Sequence, residues 1–301
     1  MIVVVGEALA DLVPDGADHL TVHCGGSPFN TARALARLGQ PVSFLGCISE
    51  DSLGNRLRAA LSADGVSLGN VVTTPLPTTL AFAQLDGSAS ASYRFYTEGT
   101  SAPSLDVTTA LAALPGEFDA LHFGSLGLML APLAEAVTAV VAAAASRRAL
   151  TVLDPNVRPS LIGDRPRYLA RLERVLSRTD LVKASVEDLA WLEPGIDPKL
   201  AAQHLLDRGP RIVIVTRGAD GATVVSTAGA ATVRAPRVTV VDTIGAGDAF
   251  SAGFLAWWRH RGLGSAELPD LDMVAEAARF ACLVASRTVE RPGASPPNIT
   301  L

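Results

Sequence analysis

A chain of 301 residues, 49% hydrophobic and 18% charged, has ample apolar material for one large α/β domain or two ordinary ones. A net charge of -5 and a pI near 5.6 argue against nucleic-acid binding and against an acidic membrane surface, both of which call for a basic face; anionic ligands stay open, because a local cluster of N–H groups binds them on an acidic protein. Cys24, Cys47 and Cys282 are an odd, widely spaced set without a C-x-x-C, so neither a disulfide framework nor a zinc site is expected, and the thiols read as reduced in a cytoplasmic protein.

Residues 2–5 form a buried first strand; no basic segment precedes them and Glu7 follows at once, which is not the pattern of a signal peptide. The following Gly6-Glu7-Ala8-Leu9-Ala10-Asp11 is expected to deliver Asp11 just past the carboxyl end of that strand, where open α/β sheets bind ligands. There Asp11 can accept two sugar hydroxyls, or serve only as a turn residue. Next comes Gly25-Gly26-Ser27-Pro28-Phe29-Asn30, whose glycines allow close approach of backbone to a ligand and whose Asn30 opens a helix over residues 30–38, as a cap or a ligand contact. A strand at 42–45 and a helix at 54–62 follow. Residues 12–23 and 71–96 carry short β-like runs without helices; the second alternates over 79–85, turns at Asp86-Gly87 and resumes at 91–95, a hairpin signal. These two segments are assigned to a small β unit, either a lid or a decoration and dimer contact covering a sheet edge. Residues 1–11, 24–70 and 97–301 are assigned to the α/β domain.

Further along, strands are expected at 120–123, 150–153, 181–183 and 211–216, a hairpin at 222–226 with 232–234, and helices at 133–145, 168–177, 186–192, 199–207, 249–261 and 273–288. Residues 126–145 are the most membrane-like stretch, but Pro132 and Glu135 interrupt it and it reads as a core helix. The alternation predicts an α/β fold, a mostly parallel sheet with helices on both faces. Arg158, in Asp154-Pro155-Asn156-Val157-Arg158-Pro159, either pairs with Asp154 or reaches a substrate carboxylate, phosphate or carbonyl.

A β-branched run, residues 238–241, reads as a strand leading into Asp242-Thr243-Ile244-Gly245-Ala246-Gly247-Asp248. The turn is expected to present the N–H groups of Gly245, Ala246 and Gly247 at a helix N-terminus, a nest for a phosphate or a developing oxyanion. Asp248 beside it can accept the proton of a hydroxyl that attacks the phosphoryl group held there; the alternative is an acid favoured only by the helix dipole. No G-x-x-x-x-G-K-[ST] occurs, and no H-R-D with D-F-G.

The run D-T-x-G-A-G-D-x-F at 242–250 resembles the C-terminal signature of the ribokinase-like (PfkB) family of sugar kinases, and G-G-S-P-x-N-x-A at 25–32 resembles its N-terminal signature. D-P-N-x-R-P resembles a segment of fructokinases and 2-keto-3-deoxygluconate kinases, and Thr216-Arg217-Gly218-Ala219-Asp220-Gly221 resembles the family's nucleotide-bearing turn. The resemblance runs the length of the chain, to Pro292-Gly293-Ala294. It implies an ATP-dependent sugar kinase with Asp248 as base and Gly245, Ala246 and Gly247 as anion hole. Asp11, Gly25, Gly26, Asn30, Phe95 and Arg158 are the expected sugar contacts, with Tyr96 a further candidate. Lys183, Thr216, Gly218, Gly221 and Gly247 are the expected nucleotide contacts. ATP with Mg²⁺ is implied, K⁺ near Asp242 and Thr243, and a homodimer through the lid. The family's N-x-x-E is replaced by Ser185 and Asp188, so Asp188 or the adjoining Glu187 is the candidate for water-mediated Mg²⁺ contact. Fructose is the first expected sugar, ahead of 2-keto-3-deoxygluconate and of ribose or a nucleoside. A non-catalytic sugar- or nucleotide-binding descendant is the rival, favoured only by the S-x-x-D departure.

Overall fold

Strand β1 (Ile2–Val5) sets the architecture. Its side chains alternate between two buried layers, Ile2 and Val4 facing one core and Val3 and Val5 the other, so it lies inside a sheet covered on both faces. The computed structural model describes residues 1–15, 18–84 and 92–299. Strands β1, β4 (Val42–Ser49), β5 (Val71–Thr74), β8 (Ala120–Gly124), β9 (Leu150–Asp154), β10 (Leu181–Ser185) and β11 (Ile212–Thr216) are parallel. Antiparallel β12 (Ala222–Ser226) and β13 (Gly229–Val233) extend one edge. The order is β13-β12-β11-β10-β9-β8-β1-β4-β5. The chain winds outward from β1 to β4 and β5, then returns to β8 on the other side of β1. The order reverses between β1 and β8, and the crevice at their carboxyl ends is where such sheets bind ligands.

Helices α1 (Ser27–Arg37), α2 (Ser52–Ala63), α8 (Ala246–His260) and α9 (Leu271–Val289) contribute to one core layer. The other is built by α3 (Val107–Ala113), α4 (Leu133–Ser146), α5 (Arg165–Leu176), α6 (Val186–Leu192) and α7 (Pro198–Leu206). Among the described residues no helix is long and apolar enough to cross a membrane.

A second sheet, β3-β2-β6-β7, contains β2 (Leu9–Pro14), β3 (Leu20–Gly25), β6 (Leu80–Gln84) and β7 (Ser92–Tyr96). It is mixed: two antiparallel hairpin pairs are joined by a parallel β2–β6 pair. The expected turn at Asp86-Gly87 lies outside the described residues. Its boundaries differ from those read in the sequence. Val71–Thr74 pairs with β4 in the main sheet, and Leu9, Ala10, Asp11, Cys24 and Gly25 belong to the small one. Asp11 therefore stands inside β2 rather than just past β1. Residues 238–241 form no strand: Val241 N–H bonds to Val289 O, and Val240 and Val241 are 57% and 58% exposed. Without a neighbouring strand or a buried face, β-branched side chains do not make a sheet.

Candidate active site

Asp248 sits in the first turn of α8, and α1 meets it. Ser27 Oγ donates to Oδ1 at 2.7 Å and Asn30 Nδ2 donates to Oδ2 at 3.0 Å. Burial pushes the Asp248 carboxyl above its ordinary range, while these two bonds and the cations Lys183 and Arg158 pull it back. The helix begins at Gly245 in the left-handed region, φ +77°. Of the expected nest, the Ala246 N–H turns back to Thr243 O at 3.2 Å. The N–H groups of Gly245 and Gly247 carry no hydrogen bond among the described residues, so they are the donors left for an anion.

Lys183, on β10, donates to Asp154 Oδ2 at 2.9 Å, and both side chains are buried. Burial works against the ammonium, but Asp154 first and then Asp188 outweigh it and keep Lys183 charged. A methyl group placed on Gly247 would lie 2.9 Å from Lys183 Nζ, so the cation sits against the anion turn. Asp154 thus pairs with Lys183, not with Arg158. Among the described residues, Arg158 donates only to Asn156 Oδ1 at 2.6 Å and to the carbonyls of Asn156 and Val157.

Two cavities meet at this turn. The first, about 310 Å³, is polar: Asp11, Ser27, Asn30, Arg158, Lys183 and Asp248 line it, with Gly26, Tyr93 and Phe95. The small sheet supplies Asp11, Tyr93 and Phe95. Burial, then the charge of Asp248, pushes Asp11 up to about 7, with Arg158 opposing. Glu7 also lines this cavity; burial pushes it up to about 7. The second cavity, about 480 Å³, is more apolar and is walled by Thr216, Gly218, Gly221, Val238, Val240, Phe250, Cys282 and Val289 among others. Thr243 and Gly247 line both.

Several expected contacts stand elsewhere. Lys183 lines the polar cavity, not the one lined by Thr216, Gly218 and Gly221. Gly25 lines neither; a methyl there would meet Asp11 Oδ2 at 1.9 Å, so this glycine makes room for that carboxylate. Tyr96 is half exposed and lines neither cavity. Asp188 caps α6: its Oδ2 accepts from Ser185 N at 2.9 Å and its Oδ1 from Val157 N at 2.7 Å. Glu187 is exposed, and neither acid lines a cavity. Asp242 accepts from Ile244 N at 2.9 Å and Gly293 N at 2.8 Å, joining the anion turn to the loop after α9. Sequence reasoning passes over Glu7, Ser27, the Lys183–Asp154 pair, Tyr93 and the wall from Ala235 to Val240. The available signal for Glu7 is a lone acid within an apolar run; for Ser27 it is its place in the G-G-S-P-x-N-x-A run, which does not say what its hydroxyl bonds.

Comparison with known proteins agrees with this geometry. All 301 residues match the pfkB family carbohydrate kinase profile. A fructokinase of Rhizobium leguminosarum bv. trifolii is 41% identical over 260 residues, covering 85% of this chain and 79% of that one. The crystal structure of a Xylella fastidiosa fructokinase with bound ATP superposes with a TM-score of 0.90 at 29% identity, over 99% of this chain and 95% of that one. A Vibrio cholerae O395 fructokinase in a fructose-, ADP- and calcium-bound form gives 0.88 at 26% identity, over 97% and 94%. Matched along its whole length by the family profile and 41% identical to a fructokinase, with Asp248 beside a glycine turn and two adjoining cavities, the chain belongs to the PfkB family of carbohydrate kinases.

Proposed function

We propose that this kinase is a fructokinase, transferring the γ-phosphoryl group of ATP to a primary hydroxyl of fructose. The observation that carries it is the junction of the polar and apolar cavities at Gly247, with Asp248 in the polar wall, in a chain 41% identical to a fructokinase. The sugar occupies the polar cavity, held by Asp11, Asn30 and Arg158 beside Gly26 and packed on Phe95. The nucleotide lies over Thr216, Gly218 and Gly221 with its phosphates at Gly247. Asp248 takes the hydroxyl proton, the freed oxygen attacks the γ-phosphorus and ADP leaves. Gly245 and Gly247 N–H groups and the Lys183 ammonium stabilise the transferring charge. These are positioning and electrostatic effects, the main demands of phosphoryl transfer.

The metal ions belong to the same proposal. Mg²⁺ would accompany ATP and neutralise phosphate charge; Asp188, both oxygens engaged by backbone N–H groups, acts on the site through its charge. Asp242 and Thr243 would hold a monovalent cation: the Asp242 carboxylate ties together two loops, and K⁺ there would supply charge beside the anion turn. The small sheet serves as a lid that excludes water and as a homodimer contact, and three free thiols fit a cytoplasmic setting.

The test is ADP release from Mg-ATP with K⁺, across fructose, 2-keto-3-deoxygluconate, ribose, tagatose, adenosine and no sugar, with Asp248→Asn in parallel. Release that requires fructose and falls by about 10²–10⁴ in the variant is expected. Release with another acceptor moves the substrate; ATP binding without release for any acceptor favours a non-catalytic descendant.

A further inference from the structure

The first turn of α1 is fixed unusually firmly. Its N-cap, Gly26, has no side chain to offer, and the cap comes instead from Glu7, whose Oε1 accepts from Ser27 N at 3.2 Å. A methyl on Gly6 would come within 2.5 Å of Pro28 Cγ, and one on Gly26 within 2.7 Å of Glu7 O. Thus the helix start is pressed on the end of β1 at several points. Ser27 and Asn30 lie three residues apart, on one helix face. Each engages a different oxygen of Asp248, across 221 and 218 residues of chain. Two donors on two oxygens fix the plane of a carboxylate; one donor leaves it free to turn.

We propose that Ser27 is a positioning residue for the base: its hydroxyl, anchored through the Glu7 carboxyl at the start of α1, holds Oδ1 of Asp248 so that the carboxylate faces the substrate hydroxyl. Each carboxylate oxygen keeps a further lone pair for that proton. The inference deepens the kinase reading and rests on it only for the turnover arm of its test.

Loss of the hydroxyl has a signed consequence. Asp248 faces Lys183 from β10, Arg158 from the loop after β9, Asp154 from β9, Asp11 from β2 and Glu7 after β1. Ser27→Ala removes none of these groups. The variant removes one donor from the ionised form, so Asp248 holds its proton to higher pH. One charge-assisted hydrogen bond corresponds to a rise of about one pH unit or more.

The experiment follows Asp248 itself. Carboxyl-¹³C aspartate is incorporated, the Asp248 signal is identified by its loss in Asp248→Asn, and the free protein is titrated as wild type, Ser27→Ala, Ser27→Gly and Ser27→Thr. Ser27→Ala and Ser27→Gly should titrate about one unit higher, with Ser27→Thr near wild type. In parallel, the acid limb of kcat/KM for the sugar should move up by the same amount. An Asp248 signal unmoved in both hydroxyl-less variants overturns the proposal, as does an equal shift in Ser27→Thr. A shifted signal in a chain inactive on every acceptor leaves Ser27 in place and removes the kinase reading. Normal turnover with an unmoved acid limb does the reverse.

Discussion

Ala294 lies directly against Gly245: a methyl on Gly245 would come within 2.6 Å of the Ala294 Cβ and 2.9 Å of its Cα. The turn that offers its N–H groups to an anion is thereby closed from behind by the loop following α9. Gly245→Ala meets this contact and a φ of +77°, which disfavours any side chain. We expect kcat to fall by about 10²–10³, the scale of losing an oxyanion donor, with a smaller change in sugar KM. Steady-state kinetics check this; a loss below fivefold removes the turn from the chemistry.

Lys183 and Asp154 form an ion pair with both members nearly inaccessible, at 6% and 1% side-chain exposure. Lys183→Met strands the Asp154 carboxyl in a dry site, and loss of about 3–5 kcal/mol of stability is expected. Adding Asp154→Asn removes the stranded charge and should restore part of that. Urea unfolding of the wild type, single and double variants measures it, and additive single effects would contradict the pairing.

Arg158 faces the polar cavity with no carboxylate partner among the described residues. Its fork is preset by Asn156, so substrate binding loses little side-chain freedom. Arg158→Leu should raise sugar KM by about 10–100-fold while leaving ATP affinity within about threefold. Arg158→Lys should not rescue it, because an ammonium cannot reproduce the fork. Initial-rate kinetics with each substrate varied separate the two effects.

His122, in β8, is 1% exposed, and neither ring nitrogen has a hydrogen-bond partner among the described residues. Burial, and then the charge of Lys183, lowers its pKa from 6.5 to about 3. Between those values the unfolded chain binds a proton that the folded chain refuses. The stability His122 contributes is therefore full above about 6.5 and is lost progressively as pH falls toward about 3. His122→Leu should flatten that part of the stability profile and raise Tm at pH 5 by roughly 2–4 °C, as two unpaired buried nitrogens disappear. Calorimetry across pH 4–8 tests it; an unchanged acid slope would place the proton elsewhere.

How much of this is legible in the sequence depends on how local each signal is. The winding of the sheet follows from strand and helix periodicity, and Asp248, Gly245 and Asn30 stand in short motifs whose residue types already suggest chemistry. Asp11 is misplaced by simple counting from β1: that strand ends at Val5 as expected, but a new one starts at Leu9 in the other sheet and carries Asp11 within it. The run at 238–241 fails as a strand because propensity was its only support. Ser27 stands in the G-G-S-P-x-N-x-A run, but nothing in that run names a partner for its hydroxyl, and only the fold brings a carboxylate from 221 residues away onto it. The S-x-x-D spacing at Ser185 and Asp188 is also that of a capping box, a role the sequence reading of these two residues passed over.

The Gly245–Ala294 contact and the Asp242–Gly293 bond make the glycine turn dependent on a segment about fifty residues further along the chain. Removing the loop after α9 would take away both braces while leaving Asn30, Asp248 and Arg158 in the wall of the polar cavity. The pocket and the turn are thus separable by where the chain is cut.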